Sequence, residues 1–202
     1  MSSNSRVPPR LFLLIIAAMI LLALLALLVV NRAEFSRREM PVYGVVPDFE
    51  FVDQEGQPFG REDMLGRINL VYFGFTRCKG PCPIIARVMT ELNELYRQSE
   101  LIQFVMFSVD PEHDSIPVLK AYADSLGADY QTWKFVRSPM DSVVWLCEEG
   151  FMLPAEDLPG NHTTKIAVVD HEGRIRSYHD ALNETHIEIM KQRVRELVRS
   201  MP

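Results

Sequence analysis

The chain has 202 residues and a formal net charge of −6, from 27 acidic and 21 basic side chains. That length holds one domain of ordinary size plus a targeting segment. The acid excess counts against nucleic acid as a partner, and three cysteines leave one over if two of them pair.

Residues 1–10 form a short tail carrying Arg6 and Arg10. Leu11 to Val30 is a run of twenty residues without a polar side chain. At about 1.5 Å per residue such a helix matches the ~30 Å core of a bilayer. A cleavable signal has a shorter apolar region, about 7–15 residues, followed by small residues at the cut site. The sequence Val29-Val30-Asn31-Arg32-Ala33 offers no such site. The expectation is an uncleaved transmembrane signal anchor over residues 11–30. Arg6 and Arg10 before the run, against Arg32, Arg37 and Arg38 after it, leave the positive-inside count near a tie. The short tail favours a cytoplasmic N-terminus, which places the rest on the extracytoplasmic, periplasmic side of the inner membrane.

Residues 31–47, with Pro41, Gly44 and Pro47, read as a linker that could reach ~50 Å at about 3.3 Å per residue. Residues 48–202 read as the functional domain. Without the first 30 residues the chain carries 19 basic and 27 acidic side chains, a net −8 suited to a cation or a basic protein surface.

From Asp48 onward, strand-like and helix-like segments alternate. Phe49–Val52 predicts a short strand and Gly56-Gln57-Pro58 a turn. Asn69–Phe75 is a continuous β-rich run, as in a strand buried on both faces. Pro83 suits the first turn of a helix reaching about Gln98, with Ile84, Ile85, Val88, Leu92 and Leu95 at helical spacing. Ile102–Val109 predicts a second buried strand. Ser115 and Pro117 open a helix that runs to Leu126 and stops at Gly127. Trp133–Val136 predicts a short strand, Ser138-Pro139 a helix to about Glu149, and residues 150–162 a loop. Lys165–Val169 and Ile175–Tyr178 form a hairpin, and Asn183 to about Ser200 an amphipathic helix. The pattern predicts an α/β domain: a central mixed sheet with helices on both faces.

The densest chemistry lies in Thr76-Arg77-Cys78-Lys79-Gly80-Pro81-Cys82-Pro83, between the first buried strand and the helix after it. Two sulfurs spaced i, i+4 at a helix mouth can bind a soft metal, form a disulfide, or do both in turn. The partial positive charge of the helix N-terminus, with Arg77 and Lys79, favours thiolate. A purely stabilising bridge across so short a loop constrains the unfolded chain little. Cys147, in an apolar helical run, reads as a buried core thiol.

These residues resemble a known family. Val71-Tyr72-Phe73-Gly74-Phe75-Thr76-x-Cys78-x-x-x-Cys82-Pro83, then Ser108-Val109-Asp110-Pro111-Glu112-His113-Asp114, then Asn161-His162-Thr163 with Val168-Val169-Asp170-His171-Glu172-Gly173, are similar in order and spacing to the Sco/SenC proteins. The resemblance covers roughly residues 45–200 and includes the anchor architecture. It implies a thioredoxin-like fold, a copper site made of Cys78, Cys82 and His162, and Cys78 and Cys82 as a redox pair. It also implies a partner, subunit II of cytochrome c oxidase, whose binuclear copper site would be loaded or whose cysteines would be reduced. A thiol reductant or a copper donor would act upstream. Family members commonly carry an acidic residue inside the cysteine loop; Lys79-Gly80-Pro81 makes this loop more basic, which favours thiolate and disfavours a bound cation.

Two thiolates and an imidazole are a soft set that suits Cu(I), and zinc would also accept it. The rival activity is general thiol–disulfide exchange of the thioredoxin type. Such enzymes usually have two residues between the cysteines and a cis-proline just before the facing strand. Here three residues intervene, and His162-Thr163-Thr164 occupies the second position, with Pro159 the nearest proline. A peroxidase-like thiol enzyme is supported by nothing beyond the fold. Asp110 is expected either to orient the site or to cap the turn at Pro111. His113 is expected to stay outside the site, His171 to be solvated at a hairpin tip, and His179 and His186 to lie on the surface.

Overall fold

The computed structural model describes residues 9–37, 40–155, 157–160 and 162–201. The chain divides into two compact units, residues 1–40 and 41–202. The first contains one helix, α1 (Pro9–Arg37). The side chains described in α1 are those of residues 14–28, all exposed, over about 22 Å of helix. Among the described residues, no helix is long and apolar enough to cross a membrane.

The second unit is built on a six-stranded mixed sheet. Its strands are β1 (Gly44–Val45), β4 (Ile68–Gly74), β5 (Ile102–Ser108), β6 (Trp133–Val136), β7 (Lys165–Val169) and β8 (Arg174–Asp180), in the spatial order β1-β8-β7-β4-β5-β6. β4, β5 and β6 run parallel, whereas β7 pairs antiparallel with β4, β8 with β7, and β1 with β8. Every residue of β4 and β5 is buried, Asn69 and Gln103 included, which explains why both read as continuous β-rich runs instead of alternating ones.

Alternation nevertheless sorts their side chains between two faces. Val71, Phe73, Val105 and Phe107 join one core with Val143, Leu146 and Phe151. Phe73 stacks on Phe107 at 5.4 Å between ring centroids, and Phe151 meets Phe73 edge-on at the same distance. A separate hairpin, β2 (Glu50–Val52) and β3 (Pro58–Gly60), adds Phe51 and Phe59 to this core. The hairpin is tied to the end of β6 by the reciprocal backbone bonds of Val52 and Arg137. Leu70, Tyr72, Phe104, Met106, Trp133 and Phe135 occupy the alternate positions and are equally buried. There Tyr122 of α3 (Ile116–Ser125) meets Phe135 edge-on at 5.9 Å.

The helices α2 (Cys82–Tyr96) and α5 (Glu184–Ser200) each bury one apolar stripe, through Ile85, Met89 and Leu92 and through Ile187, Met190, Val194 and Leu197. Asn183 caps α5 by accepting the His186 amide. Ser115 occupies the N-cap position of α3 without a side-chain cap bond. α4 (Met140–Trp145) is shorter than the apolar pattern suggests: from Leu146 to Gly150 the turns widen to π-helix. The architecture is the expected α/β arrangement around a mixed sheet. The stretch read as a linker is partly structured, since α1 extends to Arg37, β1 opens at Gly44 and Val46 is buried.

Two histidine expectations need correction. His179 is buried, at 5% exposure, because it sits at an inward position of β8. His171 is partly covered, and its Nδ1 lacks a hydrogen-bond partner among the described residues. His186 is exposed, as read from the sequence.

Burial, then the neighbouring His186 and Arg193, push the His179 pKa down to about 4. The unfolded imidazole titrates near 6.5. Between those values the unfolded chain binds more protons, so stability should be fully present above about pH 6.5 and fall as pH drops towards about 4. The loss attributable to this group is on the order of 1–3 kcal/mol. Urea unfolding of the full chain in detergent at pH 4.5 and 7 should show this difference, and His179→Gln should shrink it.

Candidate metal and thiol site

The site forms where β4 ends. Beyond Gly74 the chain must turn before entering α2, and two buried aspartates of the β5–α3 connection hold that turn. Asp114, fully buried, accepts the Thr76 amide at 3.2 Å, the Thr76 hydroxyl at 2.6 Å and the Ser108 hydroxyl at 2.6 Å. Asp110, 3% exposed, accepts the Arg77 guanidinium through Nε at 2.6 Å and Nη2 at 3.2 Å. Asp110 therefore fixes the cysteine loop, one of the two roles expected for it, and its backbone carbonyl also accepts the amides of His113 and Asp114. Because Arg77 is committed to Asp110, its charge is neutralised locally and is not free to favour a thiolate.

Cys78 is partly exposed, and its sulfur accepts the Gly80 amide at 3.4 Å. Cys82 opens α2 and is 4% exposed. Pro83 occupies the first turn, where a missing amide hydrogen costs nothing. Facing them is His162, 7% exposed, from the loop before β7. Its Nε2 lies 2.9 Å from Cys82 Sγ and 3.7 Å from Cys78 Sγ. Its Nδ1 is 3.1 Å from the Thr163 carbonyl oxygen, which can only accept. The hydrogen therefore sits on Nδ1, and the Nε2 lone pair faces the thiols. Phe75 packs edge-on against the imidazole at 5.5 Å between centroids. After His162, the Thr164 hydroxyl donates to Asp180 at 3.0 Å and the Thr164 carbonyl accepts the Ala181 amide, which ties the segment to the end of β8.

One donor atom from each of Cys78, Cys82 and His162 lies within 4.8 Å of the others. Two sulfurs and one imidazole nitrogen, mostly shielded from water, fit a soft metal ion without a change of fold. The same sulfurs, free in this structure, can also pair with one another. Burial, followed by the neighbouring Cys78, pushes the Cys82 thiol up to about 12. Thiolate promotion by the helix mouth is thus overridden at Cys82 by loss of solvent. Burial also lowers the His162 pKa, which keeps the imidazole neutral and able to bind metal.

The structure brings together all three residues assigned from the sequence and leaves the other candidates outside. His113 is exposed. Cys147 is 1% exposed in the core, directed at the Pro154 carbonyl at 3.8 Å. Asp114, Thr76 and Phe75 are supporting residues that the sequence reading did not single out. Their signal was their place within the quoted blocks, but which carboxylate holds which turn requires the fold.

The profile of the SCO1/SenC family matches residues 38–199. The chain belongs to the SCO1/SenC family. A SCO2-like protein of Rickettsia felis is 40% identical over 76 residues, and that stretch is 37% of this chain and 37% of the relative's length. A SCO1/SenC family lipoprotein from Bacillus anthracis is 26% identical, with a TM-score of 0.72 over 80% of this chain and 98% of its own. Yeast Sco1 with copper bound shares the fold, with a TM-score of 0.61 at 21% identity over 79% of this chain and 91% of its own. These matches confirm the thioredoxin-like α/β fold of residues 41–202.

Two outcomes follow from the geometry. Because Cys82 is protonated at neutral pH, metal binding must displace its proton. A weakly buffered titration of the reduced chain with Cu(I) should release at least one proton per metal, and release should shrink in Cys82→Ser. Asp114→Ala leaves the Thr76 amide and the Ser108 hydroxyl without their buried acceptor. It should cost about 2–4 kcal/mol in denaturant unfolding.

Proposed function

We propose that this protein binds copper through Cys78, Cys82 and His162 and serves the assembly of cytochrome c oxidase. In this reading it loads the binuclear copper site of subunit II or reduces the cysteines of that site. The observation that carries the reading is the convergence of two sulfurs and one imidazole nitrogen within 4.8 Å in a chain of this family. The copper bound to yeast Sco1, which shares the fold, supports copper over zinc. Leu11–Val30 acts as the membrane anchor, supported by its twenty apolar residues within one helix. Residues 31–202 then lie on the periplasmic side, where a thiol pair can cycle between oxidised and reduced forms.

The three donors divide the work by their burial. Cys82 and His162 are enclosed and fix the inner side of the site, whereas Cys78 is open to an approaching thiol. Bound copper supplies a soft Lewis-acid centre that can be passed between thiolates. When the same residues act on a disulfide, the Cys78 thiolate attacks one sulfur of the partner's bridge and displaces the other as a thiolate. Cys82 then gives up its proton and attacks Cys78, which releases the partner as a dithiol and leaves Cys78–Cys82 oxidised. An upstream thiol reductant resets the pair. Loading and reduction therefore use the same pair in the same redox state.

The test is anaerobic copper titration of the reduced chain, counting metal and thiols together. One copper per chain is expected. Cys78→Ser or Cys82→Ser should abolish tight Cu(I) binding, because two soft donors cannot both be retained. His162→Ala should weaken Cu(II) most, since Cu(I) tolerates two sulfurs. In a deletion strain, His162→Ala should fail to restore oxidase activity at limiting copper. Full restoration would favour thiol–disulfide exchange as the whole function.

A further inference from the structure

An apolar surface lies at the edge of the sheet remote from the cysteines. β1 is the terminal strand, and Val42, Tyr43 and Val45 beside or within it are 51%, 54% and 54% exposed. Met152, 49% exposed, packs against the same strand and would clash with a side chain at Gly44, 2.7 Å from the position of its Cβ. Exposed apolar groups clustered on an edge strand mark a contact surface or an aggregation hazard.

The chain itself limits what can cover this surface. α1 continues through Arg37, seven residues or about 10 Å past the apolar run, enough to clear one headgroup layer. Only residues 38–43 separate Arg37 from Gly44, a covalent reach of at most ~25 Å. If Leu11–Val30 crosses a bilayer, no macromolecular surface other than the lipid is tied so closely to β1. Tyrosine and valine suit the interfacial layer, where an aromatic ring meets both apolar chains and water. Arg32, Arg37 and Arg38 in the same stretch suit acidic headgroups.

We propose that Val42, Tyr43, Val45 and Met152 form a lipid-facing surface on which the domain rests, with the cysteine site following β4, three strands away across the sheet. Strand register adds a second separation. Gly44 and Val45 pair with Ile175 and Arg174 at the start of β8. Val169 pairs with Ile175 and with Asn69, so this end of the sheet is the start of β4. The cysteines follow the other end of β4, about 20 Å away along seven residues. The inference rests on the anchor reading above, and the experiment separates the two.

The full chain is placed in proteoliposomes containing acidic lipid, as Tyr43→Trp in a Trp145→Phe background, which leaves only the fully buried Trp133 besides the reporter. A matching chain carries Lys165→Trp, at the site end of β7. An unfolding transition like that of the parent shows that each variant folds. Lipids brominated just below the headgroups should remove about half or more of the Tyr43→Trp reporter's emission and leave the Lys165→Trp reporter unchanged. Adding Val42→Asp and Val45→Asp should restore the emission. Equal or absent quenching of the two reporters, in chains that still float with the liposomes after alkaline washing, overturns the lipid-facing surface and leaves the anchor standing. Chains that no longer float overturn the anchor, and the surface with it.

Discussion

The arrangement depends on one contact, the 2.9 Å approach of His162 Nε2 to the Cys82 sulfur in a pocket with little water. Removing solvent from two titratable groups at once is costly if either is charged. Here each is held neutral by the same burial, which raises the thiol and lowers the imidazole. Cys82 and His162 therefore wait uncharged, and the Cys82 sulfur becomes anionic only when a metal or a disulfide can absorb the charge. The Thr163 carbonyl completes this state by holding the hydrogen on Nδ1, so the nitrogen facing the sulfurs keeps its lone pair.

Position is maintained from outside the site. Asp114 and Asp110 belong to the connection after β5 yet grip Thr76 and Arg77, the residues just ahead of Cys78. The parallel pairing of β4 and β5 makes this possible, because it brings both strand ends, and the loops after them, to the same edge of the sheet. The antiparallel β7 brings the loop before it to that edge as well, and His162 arrives with it. Three sequence blocks separated by about 30 and 50 residues thus meet through strand direction alone.

How much of this was legible follows from the kind of signal each part leaves. β4 and β5 announced themselves because a strand buried on both faces leaves a long apolar run. β3 did not, since it begins at Pro58 and spans three residues of a small hairpin. β1 was concealed in a stretch read as linker: two residues carry no period, and its pairing depends on β8, more than a hundred residues later. The three donors were legible through soft ligand types set in recognisable blocks. The thiol chemistry was misjudged at Cys82 because the helix mouth and the basic loop are local features, whereas the burial that outweighs them comes from strands and loops distant in sequence. His179 was misplaced for the same reason: it pairs with Ile166 of β7, and α5 brings His186 to 6.5 Å from its ring.

The asymmetry between the sulfurs gives the site a direction. An incoming group meets Cys78 first, while Cys82 and His162 stay enclosed behind it. The basic residue between the cysteines, Lys79, is exposed, while the aspartates of the β5–α3 connection are engaged by Arg77 and Thr76. A domain of net charge −8 after residue 30 thus presents its accessible sulfur beside a positive group. An acidic molecule approaching Cys78 is repelled by most of the surface and tolerated at this mouth, whereas a basic one is drawn to the domain as a whole. Long-range charge of this kind acts on the encounter and its salt dependence more than on final affinity. Burial accordingly sets the protonation of the inner donors, and local charge biases which molecules reach the outer one.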